Sequence, residues 1–119
     1  MKVEIWSDIA CPWCYIGRVR FEKALAQFPH RDQVEVIWRS YELDPYAPRE
    51  ATHTVNEGLA KKYGVSVEEA ETMVARTARV GAQEGLELRF DRVQPVRTFD
   101  AHRLLHLAAK HGVQGKLSE

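Results

Sequence analysis

Cysteine is scarce in this chain. Two residues, Cys11 and Cys14, are all there are among 119. Any thiol chemistry must happen at that one place, and no second cysteine pair exists to complete a structural zinc site. Long apolar runs are missing too, so nothing is long enough to span a bilayer. Neither sign of charge is in excess: 17 Lys and Arg balance 17 Asp and Glu. There is thus no electrostatic case for nucleic acid or an anionic membrane surface. Internal repeats and low-complexity segments are absent. The opening Met1-Lys2-Val3-Glu4-Ile5-Trp6 goes straight into strand-like alternation and shows no signal peptide. These absences place the chain in the cytoplasm, where a lone CxxC is more often catalytic than structural. The length and the 45% hydrophobic content suit one ordinary domain with one core.

What is present is Cys11-Pro12-Trp13-Cys14 at the junction of a short strand and a helix. Val3, Ile5 and Trp6 lead in, and Ser7-Asp8 make a polar turn. Pro12 suits the first helical position, since its missing N–H would be unpaired there and its φ is already helical. Cys11 then caps the helix, whose free amides and positive dipole end favour a thiolate. A thiolate is the attacking species in disulfide exchange. Cys14 lies one turn in, on one helical face with Phe21, Leu25 and Phe28. This predicts Cys11 at an exposed tip, attacking, and Cys14 toward the core, resolving the mixed disulfide. The competing readings are two inert buried thiols, a zinc site and a structural disulfide. Such a disulfide would close a very short loop and stabilise little.

Residues 2–6 and 34–39 read as strands around a helix over 12–28, a right-handed βαβ unit. A loop with Pro45 and Pro48 follows. Helices are expected over 54–63, closed by Gly64, and from the capping box Ser66-Val67-Glu68-Glu69 to Gly85. The second should bury Ala70, Met73, Val74, Thr77 and Gly81. Residues 86–90 read as extended. A helix over 99–110 should bury Ala101, Leu104, Leu105 and Ala108, and another element starts at Gln114. The division is a βαβ unit over 1–45 and a helical segment over 46–119.

Other side chains are weighed against ordinary roles. Asp8, three residues before Cys11, could relay a proton or tune the thiol, or serve a turn or helix cap. Trp13 cannot be wholly buried if the loop is open, and would offer substrate an apolar contact. Tyr15 could equally be packing. His102 and His106 have the i, i+4 spacing of a metal pair, but no third ligand accompanies them, so no metal is expected. Lys61, Lys62, Glu68 and Glu69 read as a solvated face.

The segment Ser7-Asp8-Ile9-Ala10-Cys11-Pro12-Trp13-Cys14-Tyr15-Ile16-Gly17 resembles the active-site segment of the DsbA-like thioredoxin superfamily, in its FrnE-type cytosolic branch. Tyr41-Glu42-Leu43-Asp44-Pro45, Lys62-Tyr63-Gly64 and Ala101-His102-Arg103-Leu104 are similar to further family segments. The resemblance implies an α/β thioredoxin fold whose βαβ half carries an all-helical insertion. Family members run to roughly twice this length. They add two strands, a final helix and a cis-proline segment that faces the CxxC, and none of these is in the chain as given. Pro12, Pro29, Pro45, Pro48 and Pro95 all lie outside such a context. Gln94-Pro95-Val96-Arg97-Thr98 also departs from the family's usual Asn-Thr. A two-stranded sheet with open edges implies either a fragment of a longer protein, whose exposed core would drive self-association or a homodimer, or missing strands supplied by a partner chain.

The leading expectation is a thiol-disulfide oxidoreductase (a protein disulfide oxidoreductase or isomerase) acting on protein or small-molecule disulfides. Cys11 and Cys14 are its catalytic pair, and Pro12, Trp13 and Asp8 its active-site loop. No tightly bound cofactor is implied, with glutathione as a redox partner. The alternatives are a glutathione-dependent isomerase or transferase, like the 2-hydroxychromene-2-carboxylate isomerases and kappa-type glutathione transferases, and a non-catalytic fragment.

Overall fold

The computed structural model describes residues 1–118. It opens with β1 (Lys2–Ser7), α1 (Pro12–Gln27) and β2 (Glu35–Ser40). The strands pair in parallel, in register from Lys2 beside Glu35 to Ser7 beside Ser40. The two-residue period puts Val3, Ile5 and Ser7 on one face with Val36, Trp38 and Ser40. α1 lies against that face, with the Arg18 guanidinium 5.4 Å from the centre of the Trp38 ring. α1 stops before Pro29, and Phe28 is already extended at φ −76° and ψ 124°, as a residue preceding proline prefers.

The remainder is helical: α2 (Val55–Tyr63), α3 (Val67–Gln83), α4 (Phe99–Lys110) and α5 (Gln114–Ser118). Capping boxes start both α2 and α3, Thr54 with Glu57 and Ser66 with Glu69. Each satisfies amide donors that a helix N-terminus leaves unpaired. Gly64 ends α2 at φ +64°, a conformation glycine adopts at no steric cost. α3 is held to α1 through Glu84, which takes Arg20 at 2.9 Å and Lys23 at 3.0 Å. α5 is held to α1 by Arg18, which donates to the Ser118 hydroxyl and the Gly115 carbonyl. The fold is the mixed α/β, thioredoxin-like arrangement of a βαβ half with helices.

Burial departs from the periodicity in several places. Ile16, Ala70 and Ala108 are the buried apolar side chains among the described residues. On α1 the anchor is Ile16, while Phe21 and Leu25 are only half-buried and Phe28 is exposed. A single helix face cannot serve both the sheet and α3, so α1 splits its packing between them. Met73 on α3 is exposed as well. On α4 Leu104 is exposed, and the buried position beside Ala108 belongs to His102. Residues 86–90 form no strand, since no neighbouring strand offers them a ladder. A short 3-10 turn, Phe90–Arg92, lies there instead. Leu88 packs so tightly on Gly81 that a Cβ there would sit 2.7 Å from its Cδ1, which explains a glycine in the last turn of α3.

Candidate active site

Cys11 is the last extended residue before α1, at φ −97° and ψ 114°, with Pro12 at the helix start. Its carbonyl accepts from the amides of Cys14 at 3.1 Å and Tyr15 at 3.3 Å. Its thiol makes no cap bond. Both cysteines are free thiols and both are half-buried. The expected contrast, an exposed Cys11 above a buried Cys14, is therefore not what the fold builds. Trp13, between them, is 50% exposed.

The expected thiolate bias at Cys11 is also reversed. Burial pushes its thiol above the ordinary value, and the adjacent Cys14 thiol adds to that. The amides of Cys14 and Trp13 pull the other way without prevailing. Desolvation disfavours the charged form more than two helix-terminal amides favour it.

Asp8 does more than shape a turn, and it does not cap α1, since Cys11 holds that place. It is buried, and its carboxylate gathers four donors. Oδ1 accepts from the Ile9 amide at 2.7 Å, the Thr98 hydroxyl at 2.7 Å and His102 Nε2 at 3.0 Å. Oδ2 accepts from the Leu43 amide at 2.8 Å. Burial alone would raise the Asp8 carboxyl, but the bonds from Thr98, Leu43, His102 and Ile9 outweigh it and hold it below the ordinary carboxylate range. The loop between β1 and α1, the loop after β2 and the start of α4 thus meet on one ionised side chain. Thr98 precedes α4 without capping it, because its hydroxyl is committed to Asp8.

A cleft of about 330 Å³ opens beside this cluster. Ser7, Asp8, Cys14, Tyr15, Trp38 and His102 are among the residues that line it. His106 goes elsewhere, its Nε2 lying 3.1 Å from the Ser40 hydroxyl. The two α4 histidines therefore address the ends of the two strands, one through Asp8 after β1 and the other at the last residue of β2. They do not converge, and among the described residues no three His, Cys, Asp or Glu gather as a metal would need. Lys61, Lys62 and Glu68 are exposed, and Glu69 serves its helix cap.

Sequence reasoning did not join Thr98 and His102 to the loop between β1 and α1. They stand 90 and 94 residues from Asp8, and no local pattern reports such a pairing. The one hint was a histidine within the apolar stripe of α4, where a polar side chain needs a buried partner.

Comparison with known proteins agrees with this architecture. The DSBA-like thioredoxin domain family matches residues 2–119, and the chain belongs to that family. The crystal structure of a probable DsbA oxidoreductase from Streptomyces coelicolor is similar at 54% identity and a TM-score of 0.87, over 94% of this chain and 48% of that one. The uncharacterized protein YwbO of Bacillus subtilis is 33% identical over 57 residues, 48% of this chain and 26% of YwbO. The chain thus spans about half the length of the solved relative.

Proposed function

We propose that this member of the DSBA-like thioredoxin family is a thiol-disulfide oxidoreductase working through Cys11 and Cys14, of the FrnE type and cytoplasmic. One observation carries the reading. Two free, half-buried thiols one helical turn apart stand at the N-terminus of α1, with Pro12 starting the helix between them. Cys11 attacks a substrate disulfide and Cys14 then displaces the substrate, leaving the pair oxidised. The chemistry needs two sulfurs and no metal or organic cofactor. The substrates are protein or small-molecule disulfides, with glutathione resetting the pair. The exposed ring of Trp13 and the neighbouring exposed Ile9 offer the substrate an apolar contact. Exposed Leu104, Leu107 and Leu117 on α4 and α5 support self-association.

Trapping tests this reading. Cys14→Ser incubated with glutathione disulfide should gain one glutathionyl group at Cys11, seen by intact mass and peptide mapping. Cys11→Ser should gain none. Equal labelling of both variants, or of neither, counts against the assignment. A glutathione-dependent isomerase is separated by the same Cys11→Ser variant, which would keep isomerase turnover.

A further inference from the structure

The loop after β2 carries a leucine whose backbone is pinned while its side chain is left in solvent. The Tyr41 amide donates to the Ser7 carbonyl at 3.0 Å, so the chain leaving β2 still runs beside the chain leaving β1. Two residues on, the Leu43 amide donates to Asp8 Oδ2 at 2.8 Å, while Oδ1 takes the Ile9 amide at 2.7 Å. One carboxylate therefore holds the two loops together at the carboxyl ends of neighbouring parallel strands. In open α/β sheets ligands are bound at that end, and here Cys11 and Cys14 stand there too, just past β1.

Leu43 is nonetheless 57% exposed. The segment around it is fastened on both sides. Glu42 pairs with Arg97 at 3.1 Å, and the Arg97 amide donates to the Pro48 carbonyl at 2.8 Å. Asp44 accepts the Tyr46 amide at 3.2 Å and so closes its own turn. The bonds of this loop thus fix the place of Leu43, while the fold covers less than half of it. A side chain on a fixed backbone loses little freedom when it makes a new contact. Ile9 and Trp13, which flank Cys11 in the chain, are exposed apolar residues as well.

We propose that Leu43 is a specificity-determining residue of the thiol reaction, contacting an apolar side chain next to the reacting cysteine of a peptide or protein disulfide. The proposal rests on the redox reading above and adds to it a contact from outside the Cys11–Cys14 segment. Charge selects an apolar neighbour over an acidic one. Glu42 and Asp44 flank Leu43 in the chain, and the Asp8 carboxylate holds its amide. Arg97, the cation bonded to this loop, is already paired with Glu42. An acidic residue beside the substrate cysteine would therefore meet like charge, whereas an apolar one gains by leaving water against Leu43.

The test uses acetylated, amidated peptide disulfides that differ only in the residue after the cysteine, which is Leu, Ser or Glu. In Cys14→Ser each attack by Cys11 forms a disulfide with one peptide, releases the other as a thiol and stops there. Adduct mass against time then gives the rate. The expected order is Leu, then Ser, then Glu, with Leu at least about fivefold faster than Ser, as partial burial of one leucine side chain allows. Adding Leu43→Ser should bring the Leu-to-Ser ratio within about twofold, the size of a lost apolar contact, and Leu43→Met should keep it. The exposed position of Leu43 leaves the fold intact in both variants. A ratio that survives Leu43→Ser overturns the proposal. So does a ratio that survives while Leu43→Ser turns a dimer into a monomer on size exclusion, since Leu43 would then serve a second copy of the chain. Equal rates with all the peptides overturn it too, and leave the redox reading standing. If the Cys14→Ser chain forms no adduct with any peptide, the redox reading itself falls.

Discussion

Asp8 Oδ1 and His102 Nε2 lie 3.0 Å apart, although 94 residues separate them in the chain. The same carboxylate holds Thr98 and the Leu43 amide. One side chain therefore joins β1 and the loop that follows it to α4 and to the segment after β2. Removing it strands several buried donors together. Asp8→Ala is expected to cost at least about 2 kcal/mol, since each buried group left unpaired costs about 1–3 kcal/mol. Urea unfolding followed by circular dichroism checks this. A midpoint unchanged from the parent chain would show that the cluster contributes little.

Acid should act through the same residue. The folded-state carboxyl of Asp8 lies below its ordinary value because of Thr98, Leu43, His102 and Ile9. A depressed carboxyl stabilises the fold above the unfolded value of about 3.9, and that contribution is lost as pH falls through the folded value. Stability should thus drop below about pH 4 in the parent chain, and drop less steeply in Asp8→Asn. Unfolding midpoints at pH 7 and pH 3 for both proteins decide it, and parallel losses would be the contrary result.

Much of the architecture was legible in the residues because its signals are local. Pro12 and Pro29 bracket α1, Ser66 and Glu69 start α3, and Gly64 and Gly112 mark helix ends with positive φ. The parallel pairing followed from strand, helix and strand at close spacing. The burial pattern was less legible. Phe28 and Leu104 sat at good periodic positions yet are exposed, since periodicity names a face and not what covers it. Residues 86–90 had strand-like composition but no neighbour to pair with. At the site, the position of Cys11 before α1 was visible, while its half-buried state, which sets its acidity, was not. Thr98 and His102 could not be linked to Asp8, because their pairing depends on where the chain returns after a long helical excursion.

The acidity of Cys11 gives a direct check. Burial raises its thiol in spite of the helix-terminal amides. Alkylation of the reduced chain by iodoacetamide, mapped by peptide, should show Cys11 reactivity rising through a pH above the ordinary thiol value of about 8.5. An inflection well below that value would mean that the end of α1 dominates over desolvation.

Helix capping offers a control remote from the thiols. Ser66 accepts from the Glu69 amide, and Glu69 returns a bond to the Ser66 amide. Ser66→Ala should destabilise by about 1 kcal/mol and leave the rates of both thiol steps unchanged. A change in thiol rates would show that α3 influences the Cys11–Cys14 loop more than its contacts suggest.

The central claim is that Cys11 and Cys14 form a reversible redox couple. Its most direct test is to equilibrate the chain in glutathione or dithiothreitol buffers of graded potential and quantify the Cys11–Cys14 disulfide by mass after acid quenching. The account predicts one two-electron transition within the range of known thioredoxin-fold enzymes, about −270 to −120 mV. A pair that never closes, or one that stays closed below about −300 mV as structural disulfides do, would contradict it.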